Sequence, residues 1–171
     1  MIIKISGLRD GIYNYDFDDD ISELRLEAPF FGNFLTKISL NKSHNQIILS
    51  VNLSLNANFD CDRCSSNYNK VLKSEFKMVY FFGKEPVDSN SINTVYLALD
   101  ADKIDLSSEL RDYAVLSIPM KNLCKEDCLG LCYKCGKNLN EGECDCEKTS
   151  GSRTDTRWQP LIELKKRFNT N

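Results

Sequence analysis

A strict alternation of apolar and polar residues over residues 47–59 is the clearest pattern in the chain. Apolar residues occupy every odd position from Ile47 to Phe59, and serine or asparagine fills nearly every even one. A period of two predicts a long strand with one buried and one solvent-facing side. Alternation resumes over residues 68–82, with lysines between the apolar positions. The two runs therefore predict an antiparallel hairpin with Cys61-Asp-Arg-Cys64 at its tip.

The flanking segments predict shorter elements. Partial alternation and turn residues in 1–17 indicate short strands, and residues 95–99 indicate another. The acidic run Asp18-Asp19-Asp20 is typical of a solvated turn or the start of a short helix. Residues 21–31 fit either a short helix ending at Pro29 or irregular chain.

The period changes to a helical one over residues 104–116, with Asp105 as the expected N-cap and Pro119 preventing continuation. Residues 158–168 predict a short basic helix after a flexible linker. We therefore predict three segments: a strand-rich core over 1–118, a cysteine-rich segment over 119–147, and a linker with a C-terminal helix over 148–171. The expected fold class is α+β, with an antiparallel, strand-dominated sheet or open barrel.

Eight cysteines at close spacings are the main chemical signal. Cys61 and Cys64 form one pair, and six more lie between Cys124 and Cys146. Tetrahedral zinc takes four ligands at about 2.3 Å, and short turns between cysteines supply them. The chain has one histidine, so any structural metal would be held by thiolates. The segment over 121–147 has few apolar residues, and metal binding would replace a hydrophobic core there.

The expected cofactor is one or two structural zinc ions. The first expected ligand set resembles a zinc knuckle, with Gly136 permitting the positive φ that follows it; its members are Cys132, Cys135, Cys144 and Cys146. The second expected set is Cys61, Cys64, Cys124 and Cys128. Four ligands can be chosen from eight thiols in many ways, so the pairing stays open at this stage. Reduced unliganded cysteines, regulatory disulfides and an iron–sulfur cluster are the alternatives.

Composition narrows the class of partner and the compartment. The net charge is −3, from 22 basic and 25 acidic residues, so any nucleic-acid contact must come from a local patch. No signal peptide or apolar run of membrane-spanning length is evident, and thiol pairs in a reducing compartment act more often as metal ligands than as disulfides. We therefore expect a cytoplasmic protein with no membrane contact and no small-molecule substrate.

A catalytic role finds little support in the sequence. Arg63 would lower a thiol pKa in the Cys61–Cys64 pair, but thioredoxin-like chemistry expects that motif at a helix start. His44 lies in a polar turn, which is typical of an exposed histidine. A thiol redox protein remains the minor alternative, and we expect no enzyme.

The order of motifs from Cys61 to Leu164 resembles the YceD-like family, the large ribosomal RNA subunit accumulation proteins. The most specific part is the run Gly130-Leu-Cys-Tyr-Lys-Cys-Gly136 with Asn138-Leu-Asn140. Tyr133 and Thr156 depart from the family pattern, which usually has proline at both positions. Some family members lack the C-terminal cysteines, which implies that metal supports the fold without being the shared activity. The resemblance implies a non-enzymatic ribosome biogenesis factor that supports accumulation of large-subunit (23S) ribosomal RNA.

Two basic stretches are candidates for RNA contact. Residues 37–77 hold six basic and three acidic residues, and residues 148–171 hold six and two. The candidate RNA-binding residues are Arg63, Lys70, Lys73, Lys77, Arg157, Lys165, Lys166 and Arg167. The expected partner is large-subunit ribosomal RNA or a precursor particle, with a ribosomal protein as a further partner. The alternative is an adaptor for a ribosomal protein or RNA-processing enzyme without direct RNA contact.

Overall fold

The computed structural model describes residues 1–83 and 93–146, together with residues 158, 160 and 161. Its described elements are seven strands, one 3₁₀ helix and one α-helix. In chain order they are β1 (Ile2–Lys4), β2 (Gly11–Asp20), the 3₁₀ helix (Ile21–Leu24), β3 (Phe30–Ser43), β4 (Gln46–Asp60), β5 (Asn67–Phe82), β6 (Thr94–Leu97), β7 (Lys103–Asp105) and α1 (Ser107–Leu116). The predicted linker, and all of the predicted C-terminal helix except residues 158, 160 and 161, lie outside the described residues.

A five-stranded sheet dominates the fold, with strand order β2-β3-β4-β5-β6. The first four strands are antiparallel neighbours, which confirms the predicted strand-dominated sheet and the β4–β5 hairpin. β6 instead pairs with β5 in parallel, with Val79 opposite Thr94 and Phe82 opposite Leu97. Among the described residues the sheet is open, with β2 and β6 at its edges. A second, two-stranded sheet pairs β1 with β7.

The alternation in β4 sorts its side chains as predicted. Odd positions from Ile47 to Phe59 are buried, and even positions face outward. The core-facing residues of β3 and β5 join them, including Phe34, Ile38 and Phe76. Because side chains alternate across a strand, the serines and asparagines of β4 lie on the opposite side of the sheet, where the exposed apolar residues Phe31, Leu35 and Val71 flank them.

The helix over 104–116 begins later than predicted. Residues 103–105 form β7, and α1 starts at Ser107 with Leu106 at the N-cap position. Asp105 still contributes, because its carboxylate accepts hydrogen bonds from the Ser107 N–H and hydroxyl. Those bonds lower the pKa of Asp105 below its usual value. The predicted cap residue thus stabilises the helix start from outside the helix.

The structure also shows which elements the acidic run and the start of the segment after it form. Residues Asp18–Asp20 end strand β2, so the turn alternative is wrong. Asp20 caps the 3₁₀ helix, since its carboxylate accepts a hydrogen bond from the Ser22 N–H at 2.8 Å.

Two compact units make up the chain. The first contains Met1–Asp62 and Ser66–Cys124, and the second contains Arg63–Ser65 and Lys125–Asn171. The first unit holds both sheets and α1. The boundaries predicted at 118 and 148 remain predictions. Among the described residues, no helix has the length and apolar character needed to cross a bilayer.

Candidate metal centres and the exposed sheet face

The turn of the β4–β5 hairpin positions Cys61 and Cys64. The Cys61 N–H donates to the Ser66 carbonyl at 2.9 Å, and Ser65 adopts a positive φ of 56° that reverses the chain. A tight turn of this kind aims two cysteine side chains in the same direction. The predicted placement of this motif at a hairpin tip is therefore confirmed.

Reciprocal hydrogen bonds hold the segment before Cys124 against the residue after Cys61. The Asp62 N–H donates to the Asn122 carbonyl at 2.8 Å, and the Asn122 N–H donates to the Asp62 carboxylate at 2.7 Å. The sulfur atoms of Cys61, Cys64, Cys124 and Cys128 lie within 4.8 Å of one another. These four residues are the second ligand set that the sequence analysis expected.

The turn Cys132–Gly136 organises the second group of cysteines. The Cys132 N–H donates to the Lys137 carbonyl and the Gly136 N–H donates to the Cys132 carbonyl, both at 2.8 Å. Gly136 has a φ of 73°, as predicted for the residue that closes the knuckle. The sulfur atoms of Cys132, Cys135, Cys144 and Cys146 also lie within 4.8 Å of one another. No disulfide bond joins any two of the eight cysteines.

Hydrogen bonding within the second group separates the pKa values of its thiols. Backbone N–H groups of Cys135 and Lys134, together with the Cys144 side chain, lower the pKa of Cys132 to about 6. The hydrogen bond to Cys132 raises the pKa of Cys144, and the hydrogen bond to Cys135 raises the pKa of Cys146 to about 12. The four sulfurs are thus close enough to share protons, and a cation would replace those protons.

The donor chemistry of both groups fits a thiophilic metal ion. A tetrahedron with zinc–sulfur bonds of about 2.3 Å has sulfur–sulfur edges of about 3.8 Å, which lies inside the observed 4.8 Å limit. Thiolate-only sets select soft or borderline ions such as zinc, or iron–sulfur clusters, over magnesium or calcium. Each group can therefore hold a metal ion through four cysteines.

The second unit has almost no hydrophobic core in its described part. Across residues 63–65 and 125–146, the buried residues are Cys64, Cys128, Gly130 and Cys132. A segment that buries cysteines and a glycine, but no large apolar side chain, lacks the usual driving force for folding. Metal binding is the interaction that supplies it in small cysteine-rich modules.

Asn140 is a supporting residue that the ligand spacing alone does not reveal. Its carboxamide nitrogen donates to the Cys128 sulfur at 3.3 Å, and its oxygen accepts from the Leu129 N–H at 3.0 Å. Hydrogen bonds to ligand atoms orient them and tune the metal. The only sequence signal for this role is the position of Asn140 within the family motif.

Arg63 takes part in the architecture of the second unit. Its guanidinium donates to the Cys128 carbonyl at 2.8 Å, and its own carbonyl accepts from the Leu131 N–H at 3.2 Å. Gly130 packs against the same residue, because a Cβ there would lie 3.2 Å from the Arg63 carbonyl oxygen. Arg63 was predicted as an RNA contact, and the structure shows it tied to the cysteine-rich segment.

The other predicted RNA-binding residues fall into separate places. Lys73 and Lys77 lie on the exposed face of the sheet, opposite Ser54 and Ser50 of β4. Lys70 pairs with buried Ala57, which places it on the other side of the strand. Four predicted contacts lie outside the described residues: Arg157, Lys165, Lys166 and Arg167.

Small polar side chains fill the centre of the exposed sheet face. Strand β4 presents Ser50, Asn52, Ser54, Asn56 and Asn58 in a single row. Lysines flank this row on both sides, with Lys37 from β3 and Lys73 and Lys77 from β5. A pocket of about 410 Å³ lies on this face. Its lining includes Lys37, Asn52, Ser54 and Lys73.

The charge on this face is divided between its two sides. Edge strand β2 contributes Asp16, Asp18 and Asp20, and Asp16 lies opposite Lys37. Glu75 is the acidic residue on the β5 side. A phosphate chain would therefore be attracted to the β4–β5 side and repelled by the β2 edge.

Comparisons with known proteins agree with the motif order. The family model described as large ribosomal RNA subunit accumulation protein YceD matches residues 49–165. A chloroplastic large ribosomal RNA subunit accumulation protein YCED homolog 1 from Arabidopsis thaliana is 25% identical over 136 residues, covering 63% of this chain and 41% of the relative. The protein of the same name from Zea mays is 45% identical over 49 residues, covering 28% of this chain and 17% of the relative. This chain thus spans less than half the length of either relative. No solved structure matches it.

Proposed function

Because this chain belongs to the YceD family of large ribosomal RNA subunit accumulation proteins, we propose that it binds large-subunit ribosomal RNA or a precursor particle through the β4–β5 side of its exposed sheet face. The family name points to a role in large-subunit ribosomal RNA accumulation. Direct contact with the RNA is the step that we add.

The row of small polar side chains on β4, with lysines beside it, is the observation that carries this proposal. Serine and asparagine side chains donate and accept hydrogen bonds to bases and to ribose 2′-hydroxyls. Lys73 and Lys77 lie four residues apart on the same strand face, so their spacing along β5 is about 13 Å. Two lysines at this spacing can each bind a phosphate of an extended RNA strand, and such contacts do not depend on the base sequence.

Zinc is the metal that we propose for the cysteine groups. The ion would fix the turns that carry the ligands, and its role would be structural, since all four ligand positions are filled by cysteines. In the second group the ligands would be Cys132, Cys135, Cys144 and Cys146.

We propose a non-enzymatic role, and the placement of the Cys61–Cys64 pair supports this proposal. Cys61 and Cys64 lie in the turn between antiparallel strands. A redox-active pair is typically activated at a helix N-terminus, where the dipole stabilises the thiolate. We propose a cytoplasmic location on the ground that reduced metal-binding thiols persist in a reducing compartment.

The competing function is an adaptor that holds a ribosomal protein or processing enzyme and makes no RNA contact. The test is ultraviolet crosslinking in cells, with sequencing of the RNA attached to a tagged copy. The expected result is enrichment at discrete sites on large-subunit ribosomal RNA or its precursor. Background-level recovery, at normal expression, would refute direct binding and favour the adaptor.

A charge-reversal variant localises the contact. Replacing Lys73 and Lys77 together by glutamate should abolish the crosslinks and reduce the salt dependence of RNA binding in vitro. For single-stranded RNA, two lost phosphate contacts lower the slope of log affinity against log salt by about 1.4. Lys103→Glu on β7 is the matched control. Equal effects of Lys103→Glu would show a general charge effect and contradict the assignment to this face.

A further inference from the structure

An exposed apolar groove lies beside the second cysteine group, on the second unit. Leu129, Leu131 and Tyr133 occupy alternate positions of the chain and are 66%, 41% and 83% exposed. Between them, Gly130 and Cys132 are buried. Together with Leu139, the three apolar side chains line a pocket of about 370 Å³.

The backbone of this segment is fixed, so the groove is preformed. The Leu131 N–H donates to the Arg63 carbonyl, the Cys132 N–H to the Lys137 carbonyl, and the Leu139 N–H to the Gly130 carbonyl. Apolar side chains held in water on a rigid backbone bind a partner at a low entropic cost. Exposed apolar surface that is concentrated in this way marks an interaction site more often than scattered exposed residues do.

Electrostatics decide which class of partner suits the groove. The acidic residue Glu143 lines this pocket, together with Cys132 and Cys144. Four thiolates around a divalent ion carry a net charge of about −2. Two lysines lie nearby: Lys134 Nζ is 5.5 Å from the Tyr133 ring centroid, and Lys137 Nζ donates to the Glu143 carbonyl at 2.8 Å.

These lysines offset two of the three negative charges, so the groove and its surroundings stay negative. A nucleic-acid backbone would be repelled, whereas an arginine would find two partners. Its guanidinium can stack on the exposed Tyr133 ring and donate a bidentate pair of hydrogen bonds to Glu143. An apolar neighbour of that arginine would fill the space between Leu129, Leu131 and Leu139.

We propose that this groove binds a segment of a partner protein in which an apolar side chain is flanked by arginine. The groove adds a protein contact to the RNA contact of the sheet face. It stands independently of that contact, because the two surfaces share no residue.

The test uses the zinc-loaded chain of residues 1–171 and a short fluorescein-labelled peptide that alternates arginine with leucine. Fluorescence anisotropy should show saturable binding. Tyr133→Ala and Glu143→Lys should each weaken the affinity at least about tenfold, as expected for an aromatic anchor and for a charge pair. Leu99→Ala and Glu126→Lys are matched controls, because Leu99 is 82% exposed and both lie outside the groove. They should change the affinity less than about twofold.

Peptide and metal controls keep the result specific. A peptide with serine in place of leucine keeps its charge and should bind at least about tenfold more weakly. Zinc content and melting temperature are measured for every variant. If Glu143→Lys disturbs the neighbouring cysteine ligand, Leu129→Ser replaces it as the test variant.

Several outcomes would overturn the proposal. They are no saturable binding, equal binding of the serine peptide, or equal losses in the control variants. An RNA oligonucleotide that binds at this groove and is released by Tyr133→Ala would assign it to RNA instead. Concentration-dependent self-association that Tyr133→Ala abolishes would assign it to a second copy of this chain. Loss of crosslinks in the Lys73 and Lys77 variant, with peptide binding intact, would separate this proposal from the proposed RNA contact.

Discussion

Removing the metal should unfold the cysteine-rich segment while leaving the five-stranded sheet intact. The described residues 125–146 bury only Cys128, Gly130 and Cys132, so no apolar core remains when the ions leave. Structural zinc contributes about 10–16 kcal/mol in small zinc-finger peptides at neutral pH. At about 1.4 kcal/mol per tenfold change, even the lower value shifts the opening equilibrium by about ten million-fold.

Hydrogen exchange measures this opening residue by residue. The informative amides are those of Cys132, Gly136 and Leu139, which donate to the Lys137, Cys132 and Gly130 carbonyls. With zinc bound, all three should be protected. After chelation they should exchange at the rates of an unstructured peptide, and re-addition of zinc should restore protection.

A pair of variants separates loss of the metal from loss of a side chain. Cys132→Ser should lower the zinc content of the chain and release the same amides. Tyr133→Ser, in the same turn, should leave both unchanged, because its side chain is 83% exposed and supplies no ligand. Amides over 125–146 that stay protected in chain verified to be metal-free would refute the reasoning, since the hydrogen bonds would then suffice without metal.

The remaining predictions concern packing, ligand support and pH. Gly130→Ala should lower the melting temperature more than Gly136→Ala. Both glycines have a positive φ, but only at Gly130 would the added Cβ meet a neighbouring backbone, 3.2 Å from a carbonyl oxygen. Equal shifts in melting temperature would mean that backbone strain alone causes the loss. Asn140→Asp should weaken metal affinity about 10–100-fold in a chelator competition, since the hydrogen bond to the Cys128 sulfur is lost, and an unchanged affinity would remove its supporting role. Tyr80 is buried, and its hydroxyl has no hydrogen-bond partner among the described residues; Tyr80→Phe should therefore retain or raise stability by up to about 1 kcal/mol in urea unfolding. Burial raises the pKa of Tyr80 above its usual value of about 10, so the unfolded state ionises first and stability falls as pH rises past about 10; Tyr80→Phe should reduce that fall, and an identical pH profile would contradict the argument.

The sequence predicted the local features of this protein wherever burial determines which positions are apolar. Residues 47–59 alternate because one side of β4 faces the core, so the strand and the hairpin could be predicted without knowing their neighbours. The cysteine spacings likewise predicted two groups of four, because short turns hold paired thiols at a fixed separation. The expectation that Gly136 has a positive φ came from the same local geometry.

Other features depend on residues that are distant in the chain. Residues 103–105 form a strand only because β1 lies beside them, and their three-residue length carries no periodicity. The sequence could not show that Lys73 lies beside Ser54 and Lys77 beside Ser50, because that depends on the register of β5 with β4.

The sequence by itself determined the strand-rich class, the hairpin, the eight thiols available as ligands and the family. The tertiary structure alone decided which surfaces those elements expose. Composition gives the number of lysines and leucines, but strand register places Lys37 beside the serine and asparagine row of β4. Backbone hydrogen bonds between segments of residues 63–139 keep Leu129, Leu131 and Tyr133 exposed to solvent. Burial produces a periodic pattern of apolar residues that can be read from the sequence. The position of an exposed side chain instead depends on pairings between segments that are far apart in the chain.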